Sequence, residues 1–226
     1  MNAEEIVSRV LYRDALMLVI DKPAGLPVHP GPKGGETLTH HLDALRYGLP
    51  RRPEAAHRLD KDTSGCLILG RHPKALARLN DLFRQNAVDK VYWAVVEGGP
   101  TENEGEIDFA LAPKSPDRGW WMKVDPKGQP SLTRWKVLGR SADGQTLLEL
   151  RPITGRTHQL RVHCAASGFP ILGDTIYGHA PRFHGPGLHL HARSVTVPLY
   201  PKKPAIVVEA PLPPHMRERV AAAGGA

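Results

Sequence analysis

Cysteine is scarce in this sequence. Cys66 and Cys164 are the two cysteines among 226 residues, too few for the disulfide framework that stabilises many small secreted domains. Both stand in segments whose composition is typical of packed strands or helices. We therefore expect two thiols in the hydrophobic core, with neither a disulfide nor a metal-binding role.

Long apolar runs are also missing. No uninterrupted apolar stretch approaches the roughly 20 residues that a membrane-spanning helix needs. The first ten residues, MNAEEIVSRV, lack the basic and apolar regions of a signal peptide. Neither a transmembrane protein nor a secreted one is expected, and we expect the chain to remain in the cytoplasm.

Acidic residues are outnumbered by basic ones. Thirty Lys and Arg stand against 23 Asp and Glu, which gives a formal net charge of +7. This excess favours a polyanionic partner, although many basic proteins bind no nucleic acid. The 41% hydrophobic fraction is ordinary for a globular domain, so a disordered or fibrous chain is not favoured.

The pattern of apolar and turn-forming residues predicts more strands than helices. Helical spacing predicts helices that begin near Glu36, at Pro73 and at Thr157, the last one capped by the Thr157 hydroxyl. Strands are predicted at residues 15–20, 66–70, 91–96, 146–150, 188–197 and 206–208. Because both hairpins and helices separate the strands, we expect an α+β fold with a mixed, largely antiparallel sheet and flanking helices.

No repeat or clean linker divides the sequence. Residues 1–226 are therefore expected to form a single catalytic domain. Residues 105–135 are rich in Pro, Gly and charge and predict exposed hairpins. Within them, Trp120 and Trp121 could stack on unpaired bases of a nucleic acid, or could equally cover a hydrophobic flank.

One loop concentrates charged and hydroxyl side chains. The run HRLDKDTSG, residues 57–65, places two carboxylates, two or three cations and two hydroxyls directly before an apolar strand. Binding and catalytic groups concentrate in loops that a rigid scaffold positions. The same composition also fits a solvated turn in which Asp60 or Asp62 caps backbone N–H groups.

HRLDKDTSG resembles the signature around the catalytic aspartate of the RluA-type family of RNA pseudouridine synthases. Other blocks resemble further segments of that family and occur in the family's order: LVIDKPAGLPVHPG, KVYWAVVEG, LRPITGRTHQLRVH, GFPILGDTIYG and LHLHA. Several multi-residue blocks in one order are hard to obtain by chance. The resemblance implies a pseudouridine synthase fold with a bent sheet and a central catalytic cleft. It also implies an isomerase that acts on uridine in structured ribosomal or transfer RNA without a metal or other cofactor.

By this resemblance Asp60 is the catalytic aspartate. Isomerising uridine breaks a carbon–nitrogen glycosidic bond and rejoins the ribose to carbon 5 of the same base. An ionised carboxylate can attack the sugar, or can stabilise or trigger an alternative intermediate. Such a carboxylate needs a cation in a desolvated site, and the resemblance supplies Arg161. An exposed ion pair with no catalytic role is the alternative for Arg161.

The resemblance also assigns residues that would contact RNA. Tyr92 matches the family's active-site tyrosine, which lies against the target base; its alternative is packing in a strand beside Trp93. Arg58 resembles the arginine that enters the RNA where the target nucleotide is flipped out, with a plain phosphate contact as the alternative. Lys22 and Arg156 are expected to contact phosphates.

Two other functions stay open at this point. An RNA-binding protein of the same ancestry would recognise RNA without modifying it. A metal-dependent hydrolase could use some of the twelve histidines, among them His158, His163, His189 and His191. We expect no metal site, because zinc sites usually combine histidines with Cys or acidic ligands that the sequence does not identify.

The start of the sequence gives one further expectation. Few residues precede the first predicted strand, so we expect a catalytic domain that stands alone, without the small RNA-binding S4 domain that many relatives carry ahead of it. Nothing in the sequence indicates an obligate protein partner, and a monomer is expected.

Overall fold

A computed structural model describes residues 1–31, 34–115 and 121–225. The chain groups into two compact units: the first combines residues 1–90 with 192–212, and the second combines 91–191 with 213–226. The chain passes from the second unit to the first within one strand, Leu190–Val197. The expectation of one catalytic domain over residues 1–226 stays a prediction.

In its described residues, the first unit contains short strands, two α-helices and two 3₁₀ helices. Its strands are β1 (Val10–Arg13), β2 (Met17–Lys22), β3 (Glu54–Ala55), β4 (Ser64–Gly70), the part of β11 (Leu190–Val197) from Ala192 onward, and β12 (Ile206–Glu209). Its helices are α1 (Ala3–Ser8), α2 (Pro73–Arg84) and the 3₁₀ helices Leu38–His40 and Leu42–Leu45.

Strand β4 is the buried centre of the first unit. It pairs antiparallel with β2 and with β3, and β2 in turn pairs antiparallel with β1. All seven residues of β4 are buried, which explains why its sequence is a continuous apolar run and not an alternating one. Gly65 has φ +106, and a Cβ there would lie 2.3 Å from the carbonyl oxygen of Ala192. Only glycine therefore fits at the end of HRLDKDTSG.

The second unit contains the longer strands. They are β5 (Asp89–Glu97), of which all but the first two residues belong here, β6 (Glu104–Asp108), β7 (Leu111–Pro113), β8 (Met122–Val124), β9 (Leu132–Arg140) and β10 (Gln145–Pro152). Its helices are α3 (Gln159–Ala166) and α4 (Pro214–Ala222). The strand order is β5-β10-β9-β6, and each of these pairings is antiparallel.

The core of the second unit lies between α3 and its sheet. Leu160 and Cys164 of α3 pack there with residues from β5, β9 and β10. The other members of this core are Ala94, Val96, Ile107, Trp135, Leu148, Leu150, Phe169, Ile171, Leu188 and Leu190. Cys66 in the first unit and Cys164 in the second are both fully buried, which confirms the expectation of core thiols, and burial raises the pKa of each thiol to about 12.

The α+β class and the antiparallel sheet are confirmed. The strands predicted at 15–20, 66–70, 91–96 and 146–150 and the hairpin of β11 with β12 are all present, as is α2. The helix predicted from Glu36 is instead two 3₁₀ helices. The backbone there makes i to i+3 bonds, such as the His41 N–H to the Leu38 carbonyl at 3.0 Å, and positive φ angles at Tyr47 and Gly48 end the segment.

The start of α3 differs from the prediction. The residue in the capping position is His158, with φ +53 and no side-chain bond to the helix N-terminus, so the Thr157 cap is wrong. Sequence reasoning also missed α1 and α4. Both are short, and α4 buries Met216 and Val220 without a clear amphipathic stripe in its sequence.

The hairpins predicted in residues 105–135 are partly confirmed. Strands β7 and β8 pair antiparallel, while β6 pairs with β9 and brings Trp135 into the core. Trp120 lies outside the described residues. Trp121 packs its ring 5.5 Å from the ammonium of Lys114. Among the helices of the described ranges, none is both long enough and apolar enough to span a bilayer.

Candidate active site

The HRLDKDTSG run forms most of the loop between β3 and β4 and ends in the first two residues of β4, Ser64 and Gly65. Leu59 is 5% exposed and Thr63 is 2% exposed, so these two residues anchor the loop in the first unit. The Thr63 N–H donates to the Asp60 carbonyl at 3.2 Å and closes a turn. The Asp60 side chain is half-buried. The exposed residues of the loop are Arg58, Lys61 and Asp62.

Lys22 holds this loop in place through hydrogen bonds to backbone carbonyls. Its side chain is fully buried, and the ammonium donates to the carbonyls of Pro23 at 2.7 Å, Leu26 at 2.9 Å and Lys61 at 3.0 Å. The Gly25 N–H also donates to the Lys61 carbonyl, at 2.9 Å. The DKPAG turn and the HRLDKDTSG loop are thereby held together beside Asp60.

This geometry corrects the role expected for Lys22. An ammonium has three N–H donors, and here all three are directed at carbonyl oxygens, so none is left for a phosphate. Burial lowers the pKa of Lys22 to about 7, against the opposing charges of Asp62 and Asp60, which favour the protonated form. Lys22 therefore positions the loop and does not contact RNA in this conformation.

His57 is a second support for the loop that sequence reasoning missed. Its Nε2 accepts the Ile68 N–H at 3.0 Å, and its ring packs 4.8 Å from that of Phe83. Removal from water, reinforced by the charge of Lys90, lowers the pKa of His57 to about 3. His57 is therefore neutral at physiological pH, and the loop carries two cations, Arg58 and Lys61.

In the second unit, Arg161 lies on α3 with its guanidinium almost fully buried. Its Nε donates to Asp174 Oδ2 and its Nη2 to Asp174 Oδ1, both at 2.8 Å. The exposed fractions of the two side chains are 5% and 1%. This bidentate geometry fixes the plane of the guanidinium. The alternative of an exposed ion pair is therefore wrong for Arg161.

Asp174 was not predicted, although it stands in the quoted block GFPILGDTIYG. Its Oδ1 also accepts the N–H groups of Ile176 at 2.9 Å and Tyr177 at 3.0 Å. Burial by itself would raise the pKa of Asp174. The hydrogen bonds and charge of Arg161, with the two N–H groups, outweigh that effect and lower the pKa below its ordinary value. Asp174 is thus held as a carboxylate.

Tyr177 extends the contacts around Arg161. Its ring centre lies 5.3 Å from the Arg161 guanidinium carbon. Its hydroxyl accepts the Met122 N–H at 2.9 Å and bonds to His158 Nδ1 at 2.7 Å. One phenol therefore joins the segment after Asp174 to β8 and to the residue that precedes α3.

Gln159 holds the turn that precedes Arg161. Its amide oxygen accepts the Thr154 hydroxyl at 2.7 Å and the Arg156 N–H at 3.0 Å. Its amide nitrogen donates to the Leu132 carbonyl and to the Thr133 hydroxyl, both at 3.0 Å. The turn so fixed leaves the Arg156 side chain exposed, as contact with a phosphate requires.

Tyr92 lies on β5 and is half-buried against the core of the second unit. Its neighbour Trp93 is half-buried as well. Successive residues of a strand face opposite sides, so Tyr92 and Trp93 lie on opposite faces of β5. Part of the Tyr92 ring packs against the core. Its expected contact with the target base stays a prediction.

The histidines considered as metal ligands have structural partners. His163 bonds to the Thr133 hydroxyl at 2.9 Å and to the Phe109 carbonyl at 3.0 Å. His189 bonds to the Gly187 carbonyl at 2.7 Å, and burial lowers the pKa of both imidazoles. Over residues 1–31, 34–115 and 121–225, no group of three or more His, Cys, Asp or Glu is arranged to hold a metal ion.

The predicted residues fall into two groups. Asp60, Arg58 and Lys22 belong to the first unit. Tyr92, Arg156 and Arg161 belong to the second. Each group has an internal scaffold, Lys22 and His57 in one and Asp174, Tyr177 and Gln159 in the other. The ion pair of Asp60 with Arg161 stays a prediction.

The sequence matches one family over most of its length. The family model described as RNA pseudouridylate synthase matches residues 16–166. The chain belongs to this family. It is an RNA pseudouridine synthase, an isomerase that acts on uridine in RNA, as the resemblance of HRLDKDTSG implied.

Individual relatives agree with this assignment. An uncharacterized RNA pseudouridine synthase of Zymomonas mobilis is 47% identical over 210 residues, which cover 92% of this chain and 95% of the relative. The dual-specificity RNA pseudouridine synthase RluA of Escherichia coli is 38% identical over 192 residues, covering 83% and 85%. The solved structure of human RNA Pseudouridylate Synthase Domain Containing 4 has a TM-score of 0.82 at 29% identity and covers 98% and 95%. The fold is that of the pseudouridine synthases.

Proposed function

We propose that this pseudouridine synthase acts on stem-loops of ribosomal RNA, transfer RNA or both, with Asp60 as its nucleophile. The relative RluA of Escherichia coli carries dual specificity in its name, which supports a target in more than one RNA. The compartment we propose is the cytoplasm, and the acting form a monomer.

The proposed reaction balances within the nucleotide. The glycosidic bond between the sugar and nitrogen 1 breaks as the Asp60 carboxylate attacks the sugar, or stabilises or triggers an alternative intermediate. The uracil turns in the pocket, and its carbon 5 bonds to the sugar. A base then takes the proton from carbon 5, nitrogen 1 takes up a proton from solvent or an acid, so that no net proton is lost, and the Asp60 carboxylate is free again. No oxidant, reductant or external cofactor takes part.

The other residues have supporting roles in this proposal. Arg58 occupies the space left in the RNA by the flipped-out nucleotide, since a stacked uridine hides its sugar from a pocket. Tyr92 stacks on the target base and can help remove a proton. Arg161 holds the carboxylate of Asp60 in a fixed orientation. Arg156 contacts a phosphate.

The observation that carries the proposal is the support built beneath Asp60. A solvated turn would not need a fully buried lysine whose three donors bind the carbonyls of two loops. Asp60 is half-buried, whereas Asp62, two residues later, is exposed; the negative charges of both favour the protonated form of Lys22. The loop thus distinguishes between its two carboxylates, as a single catalytic aspartate requires.

The experiment compares Asp60→Asn with Asp62→Asn. Each variant and the wild type are incubated with total RNA from cells that lack the enzyme, and pseudouridines are mapped by chemical stops. We expect the wild type and Asp62→Asn to add the same sites and Asp60→Asn to add none. Identical maps for the wild type and Asp60→Asn would remove Asp60 as nucleophile. Wild-type activity that a chelator abolishes and added zinc or manganese restores would favour a metal-dependent reaction instead.

A further inference from the structure

The second unit presents an aromatic ring to solvent in a basic segment. Phe183 is 79% exposed, more than any other large apolar side chain in the described part of the chain. Exposure of so large an apolar ring is unfavourable in water. Its immediate neighbours, Arg182 and His184, are exposed too.

The segment that carries Phe183 is a closed loop, residues 173–187. At its base, the His189 N–H donates to the Leu172 carbonyl at 2.9 Å. A Cβ on Gly173 would lie 2.1 Å from the carbonyl oxygen of Gly187, so the chain returns beside its starting point. A long surface loop whose ends meet in this way is frequently a functional one. We call this segment the 173–187 loop.

The turn around Phe183 is pre-organised. Gly185 packs against Pro181, with a Cβ position 3.0 Å from both the proline Cγ and its carbonyl oxygen. His184 has φ +59, a conformation that costs energy for a residue with a side chain. Pro181 and Pro186 restrict the backbone on either side. Little conformational entropy would be lost if the exposed ring bound a partner.

The charge of the segment indicates the class of that partner. No Asp or Glu occurs from Thr175 to His191, the part of the second unit that carries Phe183, and the exposed Arg182 lies directly beside the ring in sequence. An apolar ring flanked by basic side chains suits a nucleic acid strand, because each base offers a face for stacking and each phosphate a negative charge. A protein partner with an apolar patch would not need the absence of acidic residues.

The base of the loop is tied to Arg161. Asp174, the second residue of the loop, forms the bidentate pair with the Arg161 guanidinium. Phe183 is four residues from Gly187, so its Cα lies at most about 14 Å from that glycine. The ring is thus within roughly 25 Å of the Arg161–Asp174 pair, a span of about seven nucleotides at ~3.4 Å each.

We propose that Phe183 is a stacking platform for an unpaired base of the RNA substrate, near the nucleotide that is modified. That this site lies near the modified nucleotide rests on the proposed function of Arg161. That it binds a base rests on the exposure of Phe183 and on the adjacent positive charge. Arg182 would contact the phosphate beside the stacked base. The 173–187 loop then contributes to the choice of single-stranded RNA over duplex.

The test measures binding without requiring turnover. Affinities of wild type, Phe183→Ala and Phe183→Trp are determined for a fluorescein-labelled twelve-nucleotide oligouridine and for a blunt RNA duplex, by fluorescence anisotropy. Loss of one stacked base should weaken oligouridine binding by about 5- to 100-fold in Phe183→Ala. Phe183→Trp should restore it. Duplex affinity should stay within about twofold, since duplex binding depends on phosphate contacts.

Val207→Ala is the matched control, because Val207 is also strongly exposed, at 63%, but lies on β12 in the first unit. It should leave both affinities unchanged. Equal oligouridine affinities for wild type and Phe183→Ala would overturn the proposal, as would an equal loss for both RNAs. A wild-type dimer that Phe183→Ala converts to a monomer would instead make this ring a contact between copies. If the wild type binds as expected but forms no pseudouridine, the proposed function fails and the stacking site stands.

Discussion

At the scale of single residues, the buried pair of Arg161 and Asp174 defines what the guanidinium can do. Nε and one N–H of Nη2 are committed to the Asp174 carboxylate, so the remaining N–H bonds point in fixed directions. Because Asp174 is held as a carboxylate, it also offsets the charge of Arg161. In the proposed function, Arg161 would therefore orient the Asp60 carboxylate by hydrogen bonds more than by net charge.

Replacing Asp174 with asparagine tests this positioning role. The change keeps the shape but turns an N–H donor toward Arg161 and leaves the guanidinium uncompensated, which can cost ~3–5 kcal/mol of stability. We expect turnover to fall by at least about tenfold, the equivalent of ~1.4 kcal/mol in the barrier. RNA affinity should change little. Single-turnover kinetics and anisotropy, at a temperature where circular dichroism shows folded protein, separate the two quantities.

Two further variants complete that test. Asp174→Glu keeps the charge and should recover part of the turnover, and Asp125→Asn removes a half-buried carboxylate of the second unit that pairs with Lys123 and should leave turnover unchanged. If Asp174→Asn lost RNA affinity while its turnover at saturating RNA stayed normal, Asp174 would belong to RNA binding and not to the positioning of Arg161.

At the scale of elements, the N-terminus of α3 depends on a side chain inside the helix and not on one before it. Gln159 makes four hydrogen bonds from its single amide, two with the turn before the helix and two with β9. His158 supplies the left-handed turn that redirects the chain into the helix. This arrangement couples α3, and hence Arg161, to the sheet.

Gln159→Leu and Thr157→Ala should therefore differ sharply in stability. Leucine fills the volume but leaves buried partners unsatisfied, and four neutral hydrogen bonds at about 1 kcal/mol each give an expected loss of ~2–4 kcal/mol. Thr157→Ala should cost less than about 0.5 kcal/mol, because this threonine is not the cap. Urea unfolding followed by circular dichroism gives both values. A loss of more than 1 kcal/mol in Thr157→Ala would show that the threonine does support the helix.

At the scale of the whole molecule, the excess of basic residues is distributed unevenly along the chain. The 34-residue stretch from Thr175 to Val208 lacks acidic residues altogether, while the 57–65 loop contains two. A positively charged protein attracts RNA over long distances, and this attraction weakens with salt. The electrostatic field of the whole protein also acts on local groups such as the buried Lys22.

Lys22 gives the stability of the whole chain a distinct pH dependence. Its folded-state pKa of about 7 lies below the ordinary value of 10.5, so between these limits the unfolded chain binds more protons than the folded one. The contribution of Lys22 to the free energy of unfolding should therefore rise with pH through this interval, by at most about 1.4 kcal/mol per pH unit. Below pH 7 it should be flat.

The measurement is the difference in unfolding free energy between wild type and Lys22→Met at several pH values from 6 to 10. This difference should grow above pH 7, whereas the corresponding difference for the exposed neighbour Lys61→Met should not change. Lys22→Met leaves three carbonyls without a donor at every pH, which lowers its stability by a constant amount. The prediction therefore concerns only how the difference in unfolding free energy changes with pH. A flat difference would mean that the buried ammonium keeps an ordinary pKa.

The sequence by itself determined the family, the reaction and the α+β class. The family and the reaction came from contiguous blocks such as HRLDKDTSG, whose residue types and order are properties of the chain, and the α+β class came from the way hairpins and helices separate the predicted strands. Local apolar patterns predicted the strands β2 and β4 and the helix α2. Such patterns predict secondary structure well when one or both faces of an element are buried.

The tertiary structure decided which side chains support the site. Lys22 and Lys61 are 39 positions apart, and Arg161 and Asp174 are 13 apart, so no local pattern could pair Lys22 with the Lys61 carbonyl or Arg161 with Asp174. A lysine in sequence resembles a phosphate ligand until burial shows that its donors are used up. Burial and hydrogen-bond partners depend on residues brought together from distant positions, and only the folded chain specifies them.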